Sequence, residues 1–258
     1  MKRRSCGWFI TGTDTGVGKT IVAGAMAARL RKRGIDVGVM KPVATGGAWI
    51  EGAHRLVSKD ALFLSACAGV SDEWSLVNPV CFSQPTAPLT AARLSGEPIR
   101  FAAILRAYEA LTARHDVVLV EGVGGWLVPL TAQLTVADLA ARMQLPVLIV
   151  ARPDLGTLNH TLLTIESVRR RALAPAGLVL NAPHAPRNDA LGRLIARTNG
   201  KLLPELAAVP LIGRFPYLSS ATPGIASQVR MAERLSRHLD ARLLNPFVRG
   251  IRHRRARR

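Results

Sequence analysis

Apolar positions along this chain fall into two alternating rhythms. Short unbroken apolar runs predict buried strands over 7–11, 35–40, 117–121, 147–151 and 177–181. Between them, apolar residues spaced three and four apart predict helices over 19–33, 101–113, 136–143 and 160–171. Weaker signals continue the order with a helical stretch over 191–197, a short strand ending near Gly213 and a last helix over 226–244. Gly34 is placed to cap the first helix, and Gly122, Gly124 and Gly125 to break the strand that ends at Glu121. Residues 44–58 are glycine-rich and aperiodic, so they read as a loop before a helix starting at Ser58 or Lys59. The proline-containing stretch before residue 101 is less regular.

Strand and helix in alternation, with no internal repeat, predict an α/β fold. Its architecture is a doubly wound, mainly parallel sheet of the P-loop type, with helices on both faces and ligands at the carboxyl ends of the strands. The chain has 258 residues, 48% hydrophobic and 5% aromatic, which suits one domain over 1–246 with a substantial core. Residues 247–258 read as a basic tail with too little apolar content to fold.

The net charge of +18 raises nucleic acid as a partner. Arginine supplies most of that charge and a dense share sits in the tail, so no specific nucleic-acid partner is expected. No apolar run is long enough for a bilayer, and Lys2, Arg3 and Arg4 precede no apolar leader core; a cytoplasmic, membrane-free protein is expected. Cys6, Cys67 and Cys81 form neither a metal repeat nor a disulfide framework and read as buried free thiols.

The most specific chemistry lies where the first strand meets the first helix, at Gly12-Thr13-Asp14-Thr15-Gly16-Val17-Gly18-Lys19-Thr20. Glycines let backbone N–H groups approach phosphate oxygens, and the helix N-terminus adds positive potential. Lys19 reaches β and γ oxygens and Thr20 can ligate magnesium; Gly16, Val17, Gly18 and Ile21 complete the nucleotide cradle. The loop is a variant, because Thr13 stands where the strict pattern has glycine and Gly12 precedes it. A turn that merely joins strand to helix is the bland alternative. Magnesium needs hard oxygen ligands. Glu121 ends a buried strand at the same sheet edge, against the alternative of a solvated strand end, and Asp60 opens a helix, where acids also serve as dipole partners. Lys41, before Pro42, reads on its own as a solvated strand end that contributes little to packing.

Five separated segments, TGTDTGVGKT (11–20), KPVATG (41–46), DAL (60–62), EGVGGW (121–126) and DLGTLNH (154–160), closely resemble the dethiobiotin synthase family. The likeness runs from about Phe9 to at least Asn181. It implies that 7,8-diaminononanoate, carbon dioxide and ATP become dethiobiotin, ADP and phosphate, through a carbamate and a carbamic–phosphoric anhydride. It implies that Lys41, Lys19 and Thr15 act on the reacting groups, that Thr45 contacts substrate, and that Thr20, Asp60 and Glu121 hold Mg2+. Gly122, Val123 and Gly124 would flank the nucleotide, while Asn181, Ala182, Phe215, Pro216 and Tyr217 would lie at the base. Gly156, Thr157, Leu158 and Asn159 would offer helix N–H groups to the substrate carboxylate of a neighbouring subunit, so a homodimer is implied. Leu89, Lys59 and Val123 depart from the family pattern, and none of them removes a phosphate or metal group.

Two other ATP-dependent classes compete. Partitioning or septum-positioning switches have a second lysine early in the phosphate loop, where this chain has Asp14. Amidating enzymes of corrinoid synthesis carry a glutamine-hydrolysing domain for which this chain is too short.

Overall fold

The computed structural model describes residues 7–185, 189–219 and 224–240. The chain runs β1 (Gly7–Gly12), α1 (Lys19–Arg31), β2 (Val37–Met40), β3 (Val43–Thr45), β4 (Ala48–Ile50) and β5 (Arg55–Val57). It continues through α2 (Lys59–Ala68), α3 (Trp74–Val77), β6 (Val80–Phe82), α4 (Pro88–Ser95), α5 (Phe101–Arg114), β7 (Val117–Gly125) and α6 (Val136–Met143). The remainder is β8 (Val147–Ala151), α7 (Thr157–Arg170), β9 (Pro175–Asn181), α8 (Ala190–Ala207), β10 (Leu211–Phe215) and α9 (Ile225–Leu235).

Six strands form one sheet in the order β10-β9-β8-β1-β7-β2, every neighbouring pair parallel. Side-chain alternation divides the core between its two faces. Trp8, Ile10, Val117, Leu119, Leu148 and Val150 point to one face and pack with α1, α2 and α9. Phe9, Val118, Val120, Val147 and Ile149 point to the other and pack with α5, α6 and α7. Both faces are covered, which is why the central strands are apolar without interruption. Because β1 lies between β7 and β8, its carboxyl end opens between two strand ends, the crevice where such sheets bind ligands.

The structure bears out the α/β class and extends or trims several elements. β8 and α6 keep their expected limits. The start of α6 is fixed by Asp138, whose carboxylate accepts from the N–H and the hydroxyl of Thr135, each at 2.7 Å. Ile35 belongs to no strand; its N–H closes the end of α1 on the Leu30 carbonyl at 3.2 Å. The expected loop over 44–58 contains the end of β3 and an antiparallel β4–β5 hairpin. β7 does not break at its glycines but runs on to Gly125, pairing it with Gly12 after a shift of register. A side chain at Gly122 would press on the Phe9 ring, with its Cβ at 3.1 Å, so the glycine serves close packing. α7 starts at Thr157, three residues before the expected helix, and α8 runs to Ala207 through Pro204.

The last expected helix stops at Leu235. A 3-10 turn over Ser236–His238 and a bridge from Leu239 to Gly213 return the chain to the sheet. The rest of that expected helix, the basic tail, the N-terminal Lys2, Arg3 and Arg4, and Cys6 lie outside the described residues. Burial pushes the Cys67 thiol up to about 12. Cys81 is only half-buried, against expectation, because it sits on the short strand β6 rather than in the main sheet; burial still raises its thiol to about 11.

Candidate active site

Five chain segments meet at the carboxyl edge of the sheet around a cleft of about 280 Å³. The loop after β1 brings Thr15, Gly16, Gly18, Lys19 and Thr20; the end of β2 brings Lys41; β3 brings Ala44 and Thr45; α2 brings Asp60; and β7 brings Glu121, Val123 and Gly124. Ser58 caps α2 by accepting from the Ala61 N–H at 3.1 Å, which sets Asp60 in the first turn.

Lys41 is buried, contrary to the solvated strand end expected of the residue taken alone. The strand end is covered by β7 and α2, and its ammonium has three partners. They are Glu121 Oε1 at 2.7 Å, Asp60 Oδ2 at 2.7 Å and the Gly122 carbonyl at 3.3 Å. Burial pulls the charge of Lys41 down, yet the two carboxylates outweigh it and hold the group above the ordinary lysine value. The same burial pushes the Glu121 carboxyl up, against the pull of Lys41. At the half-exposed Asp60, burial is outweighed by Lys41, Thr20 and Lys19, and its carboxyl stays below the usual range. Unequal burial around one shared ammonium thus separates the two acids in character.

Glu121 Oε1 also accepts from the Thr20 hydroxyl at 2.7 Å, while the buried Oε2 has no hydrogen-bond partner among the described residues. An unsatisfied carboxylate oxygen beside a hydroxyl and a second acid suits a small hard cation, so the residues present fit magnesium.

Lys19 is buried at the start of α1, and its ammonium donates to the Asp14 carbonyl at 3.1 Å. Burial lowers its pKa to about 8; Glu121 opposes the drop and Lys41 reinforces it. A bound triphosphate would restore the charge, so binding is linked to proton uptake. Between about 8 and the ordinary value of 10.5 the ligand-free protein has lost this charge. Triphosphate affinity is therefore expected to weaken above pH 8, by up to about tenfold per pH unit. Calorimetry in two buffers of different ionisation enthalpy checks this: proton uptake near pH 8.5 is expected, and its absence would discard the linkage. In the same window the folded state holds fewer protons than the unfolded chain, so ligand-free stability rises with pH.

Other expected site residues lie around this cleft rather than on it. Val17 is buried beneath the loop, Ile21 is half-buried on α1 and Gly122 lies behind Glu121. Asn181, at the end of β9, is buried and donates to the Val17 carbonyl at 2.9 Å, so its NH2 group braces the phosphate loop. Ala182 donates its N–H to the Phe215 carbonyl at 3.0 Å, the Phe215 ring is in the core, and Pro216 and Tyr217 are exposed. Gly156, Thr157, Leu158 and Asn159 start α7 and do not line the cleft. A second groove, of about 500 Å³, runs from Thr15 past Trp126 to His160 and Thr164 of α7. Sequence reading passed over Ala44, which lines the cleft, and Asn78, which lies behind it; only the Asn-Pro turn signal at 78–79 marked the latter.

A family model described as an AAA domain matches residues 7–224. An ATP-dependent dethiobiotin synthetase of Thermodesulfovibrio yellowstonii is 40% identical over 220 residues, covering 83% of this chain and 89% of the relative. One from Anaeromyxobacter dehalogenans is 47% identical over 205 residues, covering 77% and 89%. Among solved structures, the MinC:MinD cell division protein complex of Aquifex aeolicus matches with a TM-score of 0.56 at 13% identity. That match covers 93% of this chain and 96% of the other and is a likeness of fold alone.

Proposed function

The chain belongs to the ATP-dependent dethiobiotin synthetase family, and from that premise we propose that it carboxylates 7,8-diaminononanoate and closes the ureido ring of dethiobiotin. ATP becomes ADP and phosphate. The observation that carries the reading is the convergence of Lys19, Lys41, Thr20, Asp60 and Glu121 in one cleft at the strand ends.

One amine of the diamine takes up CO2, and an oxygen of the resulting carbamate attacks the γ-phosphorus as ADP leaves. The second amine then attacks the carbonyl carbon of the mixed anhydride; a C–N bond forms, phosphate departs and the amines lose their protons. The protein's part is to position these groups and to neutralise charge. Lys19 meets the β and γ oxygens, Lys41 and Thr15 meet the γ-phosphate and the carbamate, and the Thr45 hydroxyl faces the substrate. Magnesium held by Thr20, Asp60 and Glu121 would supply positive charge to the phosphate oxygens. Asn181, Ala182, Phe215, Pro216 and Tyr217 form the base side, with Asn181 also holding the loop.

The working form in this reading is a cytoplasmic homodimer of single-domain subunits, residues 1–246, in which Gly156, Thr157, Leu158 and Asn159 of one subunit receive the carboxylate of substrate bound to the other. Two features support this: the start of α7 stands away from its own cleft, and Leu127, Leu155 and Leu163 around it are exposed. No helix among the described residues is long and apolar enough to cross a membrane.

Purified protein given magnesium, ATP, bicarbonate and 7,8-diaminononanoate is expected to yield dethiobiotin and ADP by mass spectrometry, and nothing when any one component is omitted. ATP hydrolysis without dethiobiotin would refute the assignment.

A further inference from the structure

Asn78 is fully buried in the turn between α3 and β6. Its Nδ2 donates to the Lys41 carbonyl at 2.9 Å and to the Val80 carbonyl at 3.0 Å, and its Oδ1 accepts from the Ser58 N–H at 3.0 Å. Two carbonyls on one side and an N–H on the other fix the orientation of the amide, because a flipped group would set like against like.

The N–H of Lys41 donates to the Val77 carbonyl at 2.7 Å, so residues 77 and 78 hold Lys41 through both of its backbone polar groups. Ser58, the third partner, is the residue that caps α2 and sets Asp60 in its first turn. A single side chain therefore spans the strand end that bears Lys41 and the helix start that bears Asp60, whose charged groups meet at 2.7 Å. Asn78 itself does not line the cleft.

We propose that Asn78 is a positioning residue, one that fixes where Lys41 and Asp60 stand relative to each other and to the phosphate loop. Its catalytic consequence rests on the phosphoryl-transfer reading given under the proposed function.

The test compares wild type with Asn78→Ala by two readouts. Labelling with acetic anhydride, read by mass spectrometry, reports the placement of each lysine whatever reaction the enzyme performs. Lys41, whose side chain is 5% exposed, is expected to label about tenfold faster in the variant, while Lys19 labels as in wild type. In turnover, kcat for dethiobiotin is expected to fall about tenfold while KM for ATP stays within about twofold, because a displaced lysine costs rate rather than nucleotide grip. Faster labelling of Lys19 and Lys41 together, or an unchanged kcat with a lowered Tm, would show a merely structural residue and overturn the proposal.

Should Asn78→Ala not fold, Arg55→Gln acts on the same turn from outside. Arg55 is half-buried, and its Nη2 donates to the carbonyls of Asn78 and Pro79 at 2.9 and 3.1 Å. A rise of about twofold in Lys41 labelling alone supports the proposal, and no rise overturns it. A wild type that makes no dethiobiotin defeats the proposed activity, whereas the labelling ratio still decides the role of Asn78.

Discussion

Lys41→Ala is expected to end dethiobiotin formation and to weaken the fold at the same time. Under the proposed mechanism its ammonium meets oxygens whose charge develops during phosphoryl transfer, so the product rate should fall on the order of 10³-fold. The second effect follows from burial. Truncation leaves Glu121, 1% exposed, without the cation that faces it, and such a loss costs about 3–5 kcal/mol.

Glu121 would answer by holding a proton, since burial already pushes its carboxyl up. A group with a raised folded-state value contributes stability that is lost as pH rises. The stability gap between wild type and variant should therefore widen as pH climbs above the ordinary glutamate range. Urea unfolding at several pH values measures it. The double variant Lys41→Met/Glu121→Gln separates the two effects, because it should recover most of the stability and none of the activity. Near-normal turnover by Lys41→Ala would remove the residue from the mechanism.

Gly18→Ala is the second large effect. Gly18 caps α1 in the left-handed region at φ 88° and ψ 32°. An added Cβ would lie 2.2 Å from Asn181 Nδ2, the atom that donates to the Val17 carbonyl. Backbone strain of about 1–2 kcal/mol adds to about 1–3 kcal/mol for the displaced buried hydrogen bond. Stability should fall by about 2–5 kcal/mol, and ATP affinity by about 100-fold as the loop loses its brace. Gly16→Ala is the control for stability: its φ is also positive, at 74°, but a Cβ there meets nothing within 4 Å among the described residues, so for the fold only strain remains. Thermal unfolding separates the pair, and equal losses of stability in the two variants would exclude the Asn181 contact as the cause; ADP calorimetry on Gly18→Ala reads the loss of affinity.

The elements that could be read from the chain are those whose local pattern agrees with their packing. β8 is an unbroken apolar strand, buried on both faces, and α6 has an apolar stripe and the Thr135–Asp138 cap, so both came out residue for residue. Three-residue strands such as β3, β4 and β6 carry no period to detect. The glycines of β7 and Pro204 of α8 look like breakers, and only tertiary contacts show that the elements pass through them.

At the site, residue types and spacing pointed to Lys19, Thr20, Asp60 and Glu121, which do converge. The inward turn of Lys41 between two acids was not legible, because solvent exposure at a strand end depends on what covers it. Asn78 was hidden for the same reason: its three partners come from segments at 41, 58 and 80 that only the fold brings together.

The hydrogen bond from Asn181 to the Val17 carbonyl constrains how this site can change over generations. In the proposed reading the same asparagine faces the base and secures the phosphate loop, so two traits share one side chain. A lineage drifting toward another nucleotide could not revise the base contact at position 181 without also loosening the anchor of the loop. Substitutions at the exposed Pro216 and Tyr217 carry no such penalty. Variation in base preference should therefore accumulate on the β10 side of the pocket, with the end of β9 held nearly still.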